Sequence, residues 1–139
     1  MADLDHALRL DPDDSVALSR RGASKAALGQ HAAALADFDR ALALDGGRVS
    51  ALVGRARCWL TQGELSKADA DLARAHQLAP KSARVYLARA RLREQQGRWE
   101  DAADDLDRAF ALGLDERLQD DARDLGERLR ARVSPGEDR

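Results

Sequence analysis

Residues 28–45, Leu-Gly-Gln-His-Ala-Ala-Ala-Leu-Ala-Asp-Phe-Asp-Arg-Ala-Leu-Ala-Leu-Asp, decide the fold. They read as the end of one helix, a turn centred on Gly29, and a second amphipathic helix. The same pattern returns twice. Gly29, Gly63 and Gly97 are 34 residues apart. So are Ala34, Ala68 and Ala102; Phe38, Leu72 and Leu106; Ala41, Ala75 and Ala109; and Leu44, Leu78 and Leu112. Five positions keep one period through three copies without insertion. That is the mark of a stacked array of helical hairpins. Glycine after the first helix suits a left-handed residue that ends it at low cost. The small alanines let paired helices approach, and a large residue at 38, 72 and 106 fills the space between neighbouring units.

Working outward, Leu4, Ala7, Leu8 and Leu10 lie 34 residues before Phe38, Ala41, Leu42 and Leu44. The chain thus opens on the second helix of an incomplete repeat, residues 1–14. Because an array normally starts with a polar cap, this implies an excerpt of a longer protein, or a half-repeat that packs on something else. Asp11-Pro12-Asp13-Asp14-Ser15 is a turn with ready N-caps. Three repeats follow, at 15–48, 49–82 and 83–116. Their first helices are expected at about 16–28, 50–62 and 84–96, and their second at 32–44, 65–78 and 99–112. Asp45-Gly46-Gly47 reads as the loosest joint. Glu100 and Asp101 favour the dipole of the helix they open. Residues 117–132 form a last helix with one narrow apolar stripe, Leu118, Ala122, Leu125 and Leu129, as an end cap requires. Val133 to Arg139 is expected to be a disordered tail.

The length of 139 residues suits one domain with a continuous core. With aromatics at 4%, that core must be leucine and alanine. A net charge of −2 argues against a general phosphate-binding face. One cysteine excludes an internal disulfide and points to the cytoplasm or another reducing compartment. No apolar run reaches the ~20 residues of a membrane helix.

The pattern resembles the tetratricopeptide repeat. That family's small residue within the first helix falls on Gly22, Ala56 and Ala90, and its large residue four places earlier on Leu18, Leu52 and Tyr86. Its terminal proline falls on Pro12 and Pro80, while Gly46 and Leu114 depart from it. Its first-helix aromatic survives as Trp59, with Lys25 and Arg93 in the other copies. The resemblance covers about residues 1–132. It implies an all-α, right-handed α-solenoid of stacked antiparallel helix pairs: a half-repeat, three repeats and a C-terminal capping helix.

No residue pattern supports catalysis, a cofactor or a metal. His6, His31 and His76 have no ligand partners at metal-binding spacing. His31 takes the place of Leu65 and Trp99, and His76 that of Leu42 and Phe110, so packing is their expected work. Cys58 is expected to be small and buried. Asp37, Asp71 and Asp105 each follow Arg21, Arg55 and Arg89 by 16 residues. This predicts a ladder of ion pairs between the two helices of each repeat. The rival reading is a solvated charged face, on which each pair is worth only ~0–1 kcal/mol.

In the family, first helices line the concave surface. Carried over by position, that groove is Val16, Ser19, Ala23 and Ala27; Ser50, Val53, Arg57 and Thr61; and Arg84, Leu87, Arg91 and Gln95. These differ between copies where the packing positions agree. The resemblance therefore implies a non-catalytic adaptor or scaffold that binds a peptide or partner helix, with acidic character near Arg57, Arg84 and Arg91 and Glu94 as a partial offset. Alternatives are self-assembly, with the first helix presenting Leu4 and Leu8 to a second copy, or a regulatory segment of a larger protein. The family's clamp for acidic chaperone tails is missing: Ser19, Ala23, Gly54 and Ala88 hold its places, with Arg84 alone basic. The RNA-reading pentatricopeptide design is disfavoured by the acidic net charge.

Overall fold

A computed structural model describes residues 2–133. Eight helices and no strand are present among them: α1 (Ala2–Leu10), α2 (Ser15–Ala27), α3 (His31–Leu44), α4 (Val49–Thr61), α5 (Leu65–Leu78), α6 (Ala83–Gln95), α7 (Trp99–Leu112) and α8 (Glu116–Val133). All the expected helices are found, within a residue or so at each end. Residues 134–139 of the expected tail lie outside the described residues; Val133 ends α8.

Local chemistry sets the helix ends. The Asp14 carboxylate accepts from the Ala17 amide at 3.1 Å, and the Ser82 hydroxyl accepts from Val85 at 3.4 Å. Gly29, Gly63 and Gly97 have φ of +80°, +75° and +75°. In each copy the next amide reaches back five residues, from Gln30 to Lys25, Glu64 to Trp59 and Arg98 to Arg93, at 2.8–2.9 Å. This 6→1 bond closes the first helix and turns the chain into the second. The Asp45-Gly46-Gly47 joint is tied: the Asp45 carboxylate accepts from the Gly47 amide at 3.1 Å and pairs with Arg48.

The chain divides into two compact units, Met1–Leu78 and Ala79–Arg139, rather than the single domain its length suggested. In the first unit α2 pairs with α3, α4 with α5, and α3 also lies against α4. The Phe38 ring fills the space between these helices and is fully buried. It rests on two glycines: an added Cβ would come within 2.9 Å of its Cε1 at Gly22, and 2.7 Å at Gly54. The half-repeat α1 packs on α2, with Leu8 buried and Leu4 against the same core. Leu8 is therefore not presented to a second copy, because α2 already supplies its apolar cover, while Leu4 is only partly covered.

In the second unit α6 pairs with α7, and α8 packs against both. Leu106 occupies the filler position, with Ala90 and Ala122 in the same core. Ala122, Leu125 and Leu129 of the expected cap stripe are buried, and Leu118 packs beside them. Leu114, which departs from the family's proline, is buried in this core.

Candidate recognition surface

The charged ladder holds in all three copies. Arg21 reaches both Asp37 oxygens at 2.8 Å, Arg55 those of Asp71 at 2.9 and 2.6 Å, and Arg89 those of Asp105 at 3.0 and 2.9 Å. The three carboxylates are 4–6% exposed, so this is no solvated face. Buried bidentate pairs of this kind fix the orientation of one helix on another. Burial pushes the Asp37 carboxyl up. The hydrogen bonds from Arg21 and Lys25 outweigh it and leave the carboxyl below its ordinary range. The Asp37 hydrogen bond in turn raises Arg21, as that of Asp71 raises Arg55.

Two parts of the ladder escaped the sequence. Lys25 Nζ lies 2.9 Å from Asp37, and Arg93 Nε 2.8 Å from Asp105, though the Arg93 N–H does not point at that oxygen. These cations stand where the family has an aromatic; in the copy that keeps Trp59, Asp71 has Arg55 as its one cation among the described residues. Arg21 and Arg55 also reach backwards, to Asp5 at 3.1 Å and Asp39 at 3.0 Å. The signal was available, since these acids precede their arginines by the same 16 residues.

The first-helix positions sort into two groups. Ser19, Val53 and Leu87, one per copy, are 5%, 8% and 1% exposed and cannot line a groove. The cause is visible at two of them. Ser19 Oγ lies 3.1 Å from Ser50 Oγ where α2 meets α4, and Leu87 joins the core with Ala122 and Leu125 of α8. Val16, Ala23, Ala27, Ser50, Arg57 and Thr61 of the first unit are exposed, as are Arg84 and Gln95 of the second. Arg91 is half-buried and engaged: its Nη2 lies 3.5 Å from Asp121 of α8. Glu94 does not offset it, being held by Arg128 at 2.8 and 3.1 Å. Arg57 and Arg84 form no ion pair among the described residues.

Cys58 is 1% exposed, and burial pushes its thiol up, with Arg57 offsetting part of the effect. It is a packing residue and a poor nucleophile. His31 is half-buried at its turn. No group of His, Cys, Asp and Glu suited to a metal, and no helix long and apolar enough to cross a membrane, occurs among the described residues.

Antiparallel helix pairs repeated every 34 residues, with buried inter-helix ion pairs and exposed first-helix residues, define an all-α helical-repeat protein of the solenoid class. Solved structures agree. The TPR domain of Arabidopsis OM64 is 25% identical, with a TM-score of 0.73 over 86% of this chain and 96% of that one. The first TPR domain of human RPAP3 is 18% identical, with a TM-score of 0.73 over 87% and 96%. PilW, a type IV pilus biogenesis factor, is 24% identical, with a TM-score of 0.79 over 96% of this chain and 61% of that one. No family profile matches the chain, and no curated protein matches it. By repeat and by structure, the chain has the tetratricopeptide-repeat fold.

Proposed function

We propose that the chain is a non-catalytic protein-recognition module, an adaptor or scaffold segment, whose exposed first-helix residues hold a peptide or a partner helix. One observation carries this reading. The packing positions recur from copy to copy, whereas the exposed positions 16, 50 and 84; 23 and 57; and 27, 61 and 95 change. Architecture must repeat because the geometry repeats; recognition of an irregular ligand need not. The ligand presents a carboxylate to Arg57 of the first unit, whose guanidinium group is exposed and has no ion-pair partner among the described residues. A TPR of Spaghetti (RPAP3), 18% identical, is bound to the HSP90 peptide SRMEEVD. That ligand does not suit this chain, because Ser19, Ala23, Gly54 and Ala88 replace the clamp's polar and basic groups.

The test is affinity capture with the wild type and Arg57→Glu as baits. A partner retained by the wild type and lost from the variant, at unchanged melting temperature, supports the surface. Equal retention by both removes Arg57 from it.

A further inference from the structure

α7 and α8 leave between them a groove of about 500 Å³, floored by Ala103, Leu106, Phe110, Ala122, Gly126 and Leu129. Phe110 is 41% exposed there, whereas Leu42, its equivalent in the first copy, packs on the core of its own unit. Gly126 lies in mid-helix on this floor, where an added Cβ would come within 3.3 Å of Leu106 Cδ2, so the glycine lets α8 approach α7 closely.

Beside this floor α8 carries Asp120, Arg123, Glu127 and Arg130, spaced i, i+3, i+7 and i+10 and so on one face. Arg123, Glu127 and Arg130 line the groove itself. The signs alternate: acid, base, acid, base. Read in reverse, the stripe is base, acid, base, acid. An antiparallel copy of α8 therefore sets Asp120 against Arg130 and Arg123 against Glu127, each pair made twice. A twofold interface needs this self-complementarity, because one patch meets itself. The present partners of the stripe are weakly held: Arg123 and Asp120 meet at 3.4 Å with side chains 64% and 81% exposed.

We propose that the α7–α8 groove is the interface of a symmetric homodimer, in which α8 packs antiparallel on its own copy and Phe110 of each chain enters the groove of the other. Apolar burial by Phe110 supplies affinity, and the charged stripe sets orientation.

Sedimentation equilibrium of the full chain over a wide concentration range tests it. The mass is expected to rise with concentration from 15.2 kDa towards twice that value. Arg123→Glu faces Glu127 of the other copy and should raise the dissociation constant at least about tenfold. Adding Glu127→Arg should restore dimerisation. Phe110→Ser should also dissociate the dimer, with circular dichroism confirming that each variant is folded. A mass that stays monomeric at every concentration overturns the proposal and leaves the groove to another occupant. A dimer indifferent to Arg123→Glu, or one that the double exchange does not restore, overturns it equally.

Discussion

At the scale of single residues, the filler and the small residues beneath it are matched. Phe38 rests on Gly22 and Gly54; Leu106 shares its core with Ala90 and Ala122. A ring demands the space that two β-carbons would take, and a leucine does not. This fixes the sign of Gly54→Ala. On an exposed helix, alanine for glycine stabilises by ~1 kcal/mol. Here the new Cβ would lie 2.7 Å from Phe38 Cε1 in a closed core, and overpacking of that kind costs ~1–3 kcal/mol. Gly54→Ala should therefore lower the urea midpoint. Combining it with Phe38→Leu should cost less than the sum of the two single changes, a coupling of ~0.5–3 kcal/mol that a double-mutant cycle reads directly. Additive losses would show that the ring does not need the glycine. The sequence displayed Gly22 and Gly54 in register with Ala56 and Ala88, but not the contact, because 34-residue spacing says nothing of which large residue lies above which small one.

At the scale of helices, each hairpin is held by apolar packing and by a buried carboxylate gripped from the first helix. These pairs were legible because Arg21, Arg55 and Arg89 recur in register with Asp37, Asp71 and Asp105. Burial was not, since periodicity places a side chain on a face without saying what covers that face. The pH dependence follows from Asp37. Its carboxyl is held below the ordinary range in the folded chain, against ~3.9 when unfolded. Its contribution is thus fully present above the unfolded value and fades as the pH falls through the lower, folded one. Asp37→Asn should melt lower than the wild type at pH 7, and the gap should narrow as the pH is brought towards 2. A gap that stays constant into acid would mean that the charge at Asp37 does not hold α2 to α3.

At the scale of the whole molecule, positions that repeat and positions that vary have different duties, and the end of the array is where sequence reading loses the distinction. Inside the array the period predicts helix ends, left-handed glycines and ion pairs. α8 lies beyond the third repeat, so its register had no second copy to be checked against. Hence Arg91 looked like Arg57, an unpaired base on a first helix, although Asp121 compensates it from 30 residues downstream. The same gap hid the burial of Leu87 under α8. The two arginines should therefore respond differently to the same change. Arg57→Glu places a carboxylate on an exposed position with no ion-pair partner among the described residues and should leave the melting temperature within a degree or two. Arg91→Glu sets a carboxylate against Asp121 at the edge of the α6–α8 contact. Losing a partly exposed pair and adding a repulsion costs ~1 kcal/mol, a fall of ~4 °C or more for a domain of this size. Thermal melts of the two variants decide it. Equal, small shifts would detach α8 from Arg91, and a large loss in Arg57→Glu would mean that the residue belongs to architecture rather than to recognition.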